Sequence, residues 1–473
     1  MAVQQNDQTG HWSPALVLVL AVVLLSGALF GYDQGVISGA LEGIQRDLKL
    51  SPMLVEVVTS WVTLGALVGS LAGGEIADRL GRRKALLAAA VLFAAGAAVE
   101  AFAPGVTILV AGRLLVGFGV GVAAVAAPLY AAELAPAEQR GRFVSAYQLA
   151  ITIGIFLAYL IDQALAGDRE WRMMLGVSAV PAILLLVAIL PAVESPRWLV
   201  RMGQRDLARA NIVRARPWVD PDVRLKSIED SLRDEPPNAS WSEVFAPAWR
   251  RPLTIGIGLA VFQQITGINA VIYYSDRIFA AAGFSTPQAQ TMATTWAIGA
   301  VNVVATLIAV AFIDKLGRRP LLLAGLVGMC ASLVVVGLAF FSAGKGTMSS
   351  TAGIVTLIAL VIFIVSFAFS LGPVVWTVIN EIFPGRVRGR AVAVATAVNW
   401  GAAFLVSEFF LTLVEAIGES GTFMLFAFFC VVGGVWIYRQ VPETKGSSLE
   451  QIEALWSPES ATPGRLADQK TNT

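Results

Sequence analysis

The segment DRLGRR at positions 78–83 returns in the second half of the chain as DKLGRR at positions 314–319. Each copy follows an apolar run and places a glycine among charged residues, which is typical of a short turn between helices. A segment that repeats in this way indicates an internal duplication. The chain around it is apolar: 56% of its 473 residues are hydrophobic, 14% are charged, and the mean hydropathy is +0.71. This composition predicts a protein whose solvent is a lipid bilayer.

Twelve apolar runs, numbered spans 1 to 12, have the length of transmembrane helices. A helix needs about 20 residues to cross about 30 Å of hydrocarbon, and the runs lack the alternation of a transmembrane strand. The first run has no small-residue cleavage site, so we interpret it as a retained helix. We therefore expect an all-α membrane protein with twelve transmembrane helices in two six-helix halves. The predicted runs are 15–40, 55–77, 84–103, 106–131, 143–163, 172–192, 252–281, 289–313, 320–342, 352–380, 389–416 and 421–439.

One long polar stretch divides the spans six and six, and its composition predicts short amphipathic helices at the membrane surface. The predicted domains are an N-terminal six-helix half (1–193), an intracellular helical linker (194–251), a C-terminal six-helix half (252–440) and a cytoplasmic tail (441–473). Lysine and arginine concentrate in the loops that carry the duplicated motif. The positive-inside rule therefore predicts that both termini are cytoplasmic.

Several function classes are disfavoured by composition. The net charge of +1 suggests no nucleic-acid partner. The single histidine, His11, and the two cysteines, Cys330 and Cys430, form no metal-ligand pattern, and the cysteines are expected to be packed thiols within spans. No nucleophile elbow, paired-carboxylate cleft or phosphate-binding loop is found, so we expect neither an enzyme nor a cofactor or metal.

Two more motif pairs repeat in the same order. ELAP with RGR (133–142) corresponds to EIFP with RGR (381–390), and ESPR (194–197) corresponds to PETKG (442–446). Three echoes in one order indicate a parallel duplication, the architecture in which a transported solute binds between the halves near the midplane. Across residues 16–447 the chain resembles the sugar porter family of the major facilitator superfamily. The resemblance implies a membrane sugar transporter.

The resemblance also implies a role for the charged residues of these motifs. They are expected to form inter-helix ion pairs that latch the inner face shut in the outward-open state. The alternative is that they only mark topology and bind lipid head groups. The expected latch residues are Asp78, Arg82, Glu133, Arg142, Asp314, Arg318, Glu381 and Arg388.

One acid lies where a carboxylate is costly. Asp33 ends an otherwise uncharged run from Leu16, so it must be neutralised, paired or hydrated. At 1.5 Å per residue, Asp33 in span 1 and Arg113 in span 4 both lie about 10 Å below the predicted outer ends of their helices. We therefore expect them to pair. The resemblance makes an aspartate at this position a feature of proton-coupled symporters, whereas the alternative is a purely structural salt bridge.

A second intramembrane acid, Glu408, falls inside predicted span 11. No role for it follows from the family resemblance. Three interpretations stay open: it faces a water-filled vestibule, pairs with a cation not apparent from the sequence, or carries a second proton.

Amide and aromatic side chains concentrate in the C-terminal half, as recognition of a hydroxylated ring requires. The segments TGIN (266–269) and GP (372–373) predict interruptions of spans 7 and 10. An isolated asparagine is also explained by interhelical hydrogen bonding. By resemblance, the substrate contacts are Gln148, Gln263, Gln264, Asn269, Asn302, Gly372, Trp376 and Asn399, with Tyr273 and Trp400 as lining or gating residues.

The expected function is proton-coupled symport of a hexose by alternating access. Compared with xylose symporters of the family, Asn399-Trp400 and the apolar Ile155 favour D-glucose or D-galactose. The alternatives are an uncoupled sugar uniporter and a membrane sugar sensor. The expected partners are a monosaccharide, protons and the lipid bilayer, and we expect a monomer in a cell inner membrane.

Overall fold

The computed structural model describes residues 12–136, 140–167, 170–233, 241–344, 348–383 and 385–445; the side chains at 140–142, 144–145, 313–315 and 385–386 lie outside the description. Within the described part, no strand is present and twelve helices are long and apolar enough to cross a membrane. The predicted all-α fold with twelve spans is therefore confirmed. Spans 1 to 12 are Pro14–Leu48, Pro52–Leu80, Arg82–Ala101, Val106–Leu134, Ala146–Leu165, Trp171–Ile189, Pro247–Tyr273, Pro287–Phe312, Arg318–Ala343, Ser350–Ile382, Val387–Glu408 and Phe410–Gln440.

Finer breaks divide several of these spans. Span 5 belongs to a helix that begins at Arg140, and span 6 consists of Trp171–Val177 and Ala179–Ile189. Three spans of the C-terminal half are also interrupted: span 7 comprises Arg250–Ile265 and Ile268–Tyr273, span 8 contains a π-helical segment at Thr294–Ala300, and span 10 comprises Ser350–Phe369 and Leu371–Ile382. The helix Ser275–Ala281 follows span 7.

Local sequence explains how the first two spans begin. Ser13 and Ser51 are the N-cap residues of spans 1 and 2, and each is followed by a proline. The Ser13 hydroxyl accepts the backbone N–H of Leu16 at 3.1 Å. A serine cap satisfies a free N–H of the first turn, and a proline at the first helical position needs no donor.

Glycines set the close packing of the N-terminal half. A Cβ atom on Gly31 of span 1 would lie 1.9 Å from the Ile151 carbonyl oxygen of span 5. A Cβ atom on Gly117 of span 4 would lie 2.0 Å from the Val62 carbonyl oxygen of span 2. Small residues let helix backbones approach closely in a bilayer, where no hydrophobic effect drives helices together. These contacts pack span 1 tightly against span 5 and span 4 tightly against span 2.

Several predicted span ends differ from the structure: span 7 ends at Tyr273 instead of 281, span 12 begins at Phe410 instead of 421, and spans 1 and 11 also end elsewhere. Span 1 continues to Leu48 instead of ending near residue 40, because the segment 41–48 is amphipathic and helix formation does not stop at the limit of an apolar run. Span 11 ends at Glu408, and the helix of span 12 begins at Phe410. The helix of span 12 contains one non-helical residue, Gly418, with φ of 74°. Glycine tolerates this left-handed conformation. Glu408 therefore ends its helix instead of lying within it.

The stretch between the halves folds into short helices at one end of the bundle. These helices are Pro196–Arg201, Arg205–Ala215, Pro221–Arg233 and Trp241–Val244. The Ser13 hydroxyl donates to the Ala215 carbonyl at 2.6 Å, and the Arg216 guanidinium donates to the Leu134 carbonyl at 2.8 Å. We call this end, which carries the DRLGRR motif, the inner end, and the opposite one the outer end. The predicted domain boundaries stay a prediction.

Candidate functional site

The two buried charges singled out by sequence lie in direct contact. Arg113 Nη1 is 2.6 Å from Asp33 Oδ1, and the two side chains are 0% and 5% exposed. The Arg113 Nε group donates to the Val58 carbonyl at 3.3 Å, so span 2 helps to orient the guanidinium. A buried ion pair is stable only while both partners are charged, because loss of one charge leaves the other buried and unpaired. Proton uptake by the carboxylate would break the pair.

A third charged group, which the sequence analysis missed, belongs to the same cluster. Glu100 lies at the outer end of span 3, is 1% exposed, and places its Oε1 atom 3.5 Å from Arg113 Nη1. The signal was available, because an acid near the end of an apolar span is rare unless it is paired. What the sequence did not contain is the orientation of span 3 toward Arg113.

Four amide side chains of the C-terminal half form one hydrogen-bonded network. Asn399 Nδ2 donates to Gln263 Oε1 at 2.7 Å, and Gln264 Nε2 donates to Asn399 Oδ1 at 3.2 Å. Asn269 Nδ2 donates to Gln264 Oε1 at 2.9 Å. All four side chains are buried. Amides both donate and accept, so such a network can exchange its internal bonds for those of a sugar hydroxyl.

Helix interruptions place this amide network. Span 7 breaks at Thr266 and Gly267, and Gly267 has φ of 92°, so the segment bearing Asn269 folds back toward Gln264. Span 10 breaks at Ser370, just before Gly372-Pro373, because a proline cannot extend the preceding helix. Gln263 Nε2 donates to the carbonyls of Leu371 at 2.8 Å and Gly372 at 3.3 Å, which lie in the first turn after the break. Both interruptions lie where the sequence predicts them.

The remaining substrate candidates lie on three different spans. Gln148 is half-buried on span 5, Asn302 is buried on span 8 directly after its π-helical segment, and Trp376 is half-buried on span 10. The structure thus brings Gln263, Gln264, Asn269, Asn399 and Gly372 into one hydrogen-bonded group. Within the described residues, no polar side-chain contact joins Gln148, Asn302 or Trp376 to that network.

Two contacts connect span 1 to the amide-bearing half on either side of Asp33. Gln34 Nε2 donates to the Tyr273 hydroxyl at 3.3 Å. The Phe30 and Trp400 rings lie 5.3 Å apart between centroids. Both predicted lining residues therefore touch the span that carries the buried acid. Gln34 was missed by the sequence analysis, because one glutamine beside an aspartate is not a motif.

The charged motifs at the inner end form two equivalent clusters, one in each half. Arg82 pairs with Glu133 at 3.0 Å and with Asp78 at 2.9 Å. Arg318 pairs with Glu381 at 3.0 Å. Arg388 Nε donates to the Phe383 carbonyl at 3.0 Å, whereas the side chains of Arg142 and Asp314 lie outside the described part of the structure. These described ion pairs join helices within one half.

Glu194 and Glu443, which belong to repeated motifs but were given no role, complete the two clusters. Glu194 accepts the backbone N–H groups of Arg82 at 3.1 Å and of Arg83, at the start of span 3. Glu443 accepts the corresponding N–H groups at the start of span 9. Burial raises the pKa of Glu194. Burial also acts to raise the pKa of Glu443, but backbone hydrogen bonds from Lys445 and the start of span 9 lower it overall.

At the outer end, polar contacts join the two halves. Glu56 of span 2 accepts the Thr412 backbone N–H at 2.7 Å and the Thr412 hydroxyl at 2.8 Å. The Ser60 hydroxyl donates to Glu408. Glu408 thus accepts a hydrogen bond at the junction between the halves. This contact gives Glu408 a partner that the sequence did not identify.

Comparisons with known proteins match the chain along nearly its whole length. The family model described as "Sugar (and other) transporter" matches residues 19–456. The D-xylose transporter of Levilactobacillus brevis is 40% identical over 434 residues, covering 91% of this chain and 93% of the relative. The glucose transporter GlcP of Staphylococcus epidermidis is 38% identical over 436 residues (92% and 96%), and the galactose-proton symporter of Escherichia coli is 38% identical over 438 residues (92% and 93%).

A solved structure has the same architecture. The partially occluded inward-open conformation of the xylose transporter XylE from Escherichia coli is similar with a TM-score of 0.80 and 30% identity. The similarity covers 92% of this chain and 100% of that chain.

Proposed function

This chain belongs to the sugar porter family of the major facilitator superfamily, and from that membership we propose that it is a proton-coupled hexose symporter working by alternating access. Members of this family are transporters and not enzymes. The transported hexose is D-glucose or D-galactose. The observation that carries the proposal is the position of Asp33. This buried acid pairs with Arg113 of span 4 and lies on span 1, which also touches the amide-bearing half.

The coupling step is protonation of Asp33. In the ionised state, the carboxylate and Arg113 hold spans 1 and 4 together through the 2.6 Å contact. A proton entering from the outer side neutralises the carboxylate and removes the Coulombic attraction. Span 1 is then released from span 4, and the positions of Gln34 and Phe30 change with it. Proton binding thereby alters the wall of the substrate site.

The sugar binds at the amide network and displaces part of its internal hydrogen bonding. Asn399 Nδ2 donates to Gln263 Oε1 and to the Ala260 carbonyl, so these amides stay paired when no sugar is bound. A sugar ring supplies hydroxyls for the amides and an apolar face for Trp376. Gln148 and Asn302, on spans 5 and 8, complete the contacts from the facing helices.

The choice of a hexose rests on two positions. Asn399 precedes Trp400, which resembles hexose carriers of the family, and Ile155 is apolar where a xylose carrier of the family has an amide. The names of a glucose transporter and a galactose-proton symporter among the relatives are consistent with this choice, while the D-xylose transporter marks the competing pentose. A competition panel of hexoses and pentoses against labelled D-glucose tests it: stronger inhibition by D-xylose than by either hexose would contradict the proposal.

The inner clusters are the proposed latch. Pairs such as Arg82–Glu133 and Arg318–Glu381 organise each half, and in the outward-open state the same groups hold the two halves together at the inner end. Both termini are cytoplasmic, because the arginine-rich loops lie at the inner end. The protein functions as a monomer in a cell inner membrane.

One experiment separates symport from the two alternatives. Sugar added to purified protein in vesicles should alkalinise the medium, and a proton gradient should drive sugar accumulation. Asp33→Asn should abolish accumulation while exchange of labelled sugar continues. A uniporter would give flux without a proton signal, and a sensor would give binding without flux. Accumulation by Asp33→Asn equal to that of the unmodified protein would overturn the coupling proposal.

A further inference from the structure

The guanidinium of Arg113 faces two carboxylates instead of one. Its Nη1 atom is 2.6 Å from Asp33 Oδ1 and 3.5 Å from Glu100 Oε1. The exposed fractions of the Arg113, Asp33 and Glu100 side chains are 0%, 5% and 1%. The three residues come from spans 4, 1 and 3. We call this group the buried triad.

One oxygen of the second carboxylate lies close to Arg113 without a hydrogen bond. Among the described residues, Glu100 Oε1 and Arg113 Nη2 have no hydrogen-bond partner although both atoms are buried. Gly112, next to Arg113, leaves room for the acid, since a Cβ atom there would lie 2.7 Å from Glu100 Cγ. The triad thus contains one donor atom and one acceptor atom that are buried without a hydrogen-bond partner. A rotation of the guanidinium would pair them.

Charge balance gives this arrangement a consequence. With both acids ionised, the triad carries one net negative charge in an apolar environment, which is costly. One proton makes the triad neutral. If Arg113 had only Asp33 as its counter-ion, the same proton would leave an isolated guanidinium in the membrane, and burial of an unpaired charge is more costly still.

We propose that Glu100 is the alternate counter-ion of Arg113 and that it sets the pH range of coupling. The inference rests on the proposed function and deepens it. When a proton binds the Asp33 carboxylate, Arg113 stays protonated and moves onto ionised Glu100. The triad passes from one net negative charge to neutrality, and no charge is left unpaired. When the proton leaves toward the inner side, Arg113 returns to Asp33. Glu100 positions the guanidinium and does not itself carry the transported proton.

Groups from the other packed spans do not replace Glu100 in this role. Tyr273 of span 7 interacts electrostatically with Asp33 and Arg113, but its hydroxyl accepts a hydrogen bond from Gln34. Three further charged groups are bonded elsewhere: Glu56 of span 2 to Thr412, Asp162 of span 5 to the Gly39 N–H, and Arg172 of span 6 to the Ala103 carbonyl and Asp47.

The first test is the pH profile of proton-driven sugar uptake in vesicles. Glu100→Gln should shift the pH of half-maximal uptake by about one unit toward acid, because loss of a neighbouring negative charge makes protonation of Asp33 less favourable. Sugar exchange without a proton gradient should stay unchanged, and Glu100→Asp should restore most of the profile. The matched control is Glu415→Gln, which removes a carboxylate at an exposed position of the outer end. An unshifted profile in Glu100→Gln would overturn the inference.

The second test needs no transport activity. If Glu100 substitutes for Asp33, then Asp33→Asn alone leaves Arg113 with a counter-ion, and only the double variant Asp33→Asn/Glu100→Gln leaves it with none. The double variant should therefore lose more thermal stability in detergent than the sum of the two single losses. Additive losses would contradict the alternate counter-ion. The two proposals fail separately: accumulation by Asp33→Asn would reject proton coupling at Asp33 itself, whereas a normal pH profile in Glu100→Gln would reject only the role of Glu100.

Discussion

The Gln34 amide donates a hydrogen bond of 3.3 Å to the Tyr273 hydroxyl, and this contact crosses from the first half of the molecule to the second. Gln34 follows the buried acid directly in span 1, and Tyr273 ends the interrupted part of span 7 that carries Asn269. A change at Asp33 therefore reaches the short helix that carries Asn269 through one residue of backbone and one hydrogen bond. We expect coupling to depend on this contact more than sugar binding does.

Removal of the Tyr273 hydroxyl tests this expectation. Tyr273→Phe deletes an interaction worth about 1 kcal/mol, so sugar affinity should stay within about fivefold of that of the unmodified protein. The number of protons taken up per sugar should fall, because span 1 would move without displacing span 7. Parallel measurement of proton and sugar initial rates gives this ratio. Tyr130→Phe is the control, since the Tyr130 hydroxyl donates to the Val193 carbonyl at the inner end. An unchanged ratio in Tyr273→Phe would argue against the contact as a coupling element.

The amide network predicts a large effect of Gln263→Ala. Gln263 bonds Asn399 and also the Leu371 and Gly372 carbonyls just after the break in span 10, so truncation removes a substrate contact and several buried hydrogen bonds. Each such bond contributes about 1 kcal/mol. We expect sugar affinity to fall at least tenfold, with a lower unfolding temperature, as measured by calorimetric binding and thermal denaturation. Gln288→Ala, an exposed amide on span 8, should leave both unchanged.

The inner cluster of the C-terminal half predicts a shift of conformational balance. Glu381 accepts from Arg318 at 3.0 Å and from the Thr444 hydroxyl at 2.5 Å. The pair is partly exposed, so its contribution is about 1 kcal/mol and its loss should change the state populations about fivefold. Glu381→Ala should favour the inward-open state, detected as faster labelling of cysteines introduced on the inner side. Glu75→Ala, which removes an exposed pair with Arg79, should not. Equal labelling rates in the two variants would refute the latch.

The outer contact between the halves predicts the opposite shift. Thr412→Val keeps the shape of the side chain but deletes the hydroxyl bond to Glu56, a bond that holds span 2 against span 12. We expect faster labelling of cysteines placed on the outer side and slower labelling on the inner side. Thr356→Val serves as the control, because the Thr356 hydroxyl donates to the Ala352 carbonyl of its own helix. If both variants label alike, the contact does not hold the outer end closed.

The two inner glutamates predict an order of titration. Burial raises the pKa of Glu194, while backbone hydrogen bonds lower the pKa of Glu443, although both carboxylates accept backbone N–H groups at the start of a span. As the pH falls, Glu194 is protonated first and loses its charge-assisted bonds, and the bonds of Glu443 are lost only below its ordinary pKa range. Hydrogen exchange, corrected for intrinsic rates, should show that the Arg82 and Arg83 amides lose protection at a higher pH than those of Arg318 and Arg319. The reverse order would contradict this assignment.

Sequence reasoning reached the class of fold and several contacts because their signals are contiguous. Apolar length alone defines a membrane span, and the repeated motifs around Arg82 and Arg318 mark the two halves. The break of span 10 follows from Pro373, which cannot continue the preceding helix. The Asp33–Arg113 contact was predicted because two opposite buried charges in one half have few other possible partners.

The rest was decided by which face each helix turns toward its neighbours. Gln34 has no distinguishing local pattern, and the sequence marks Glu100 only as an acid near the end of an apolar span. Both gain a role because span 3 turns toward Arg113 and span 1 toward Tyr273. Hydropathy does not mark the end of span 11 at Glu408, where the Glu408 carboxylate accepts a hydrogen bond from Ser60 of the other half. In a bilayer, apolar length fixes that a helix crosses, whereas its rotation depends on close contacts of small residues such as Gly31 against Ile151. Those contacts join positions far apart in the chain, so only the folded molecule specifies them.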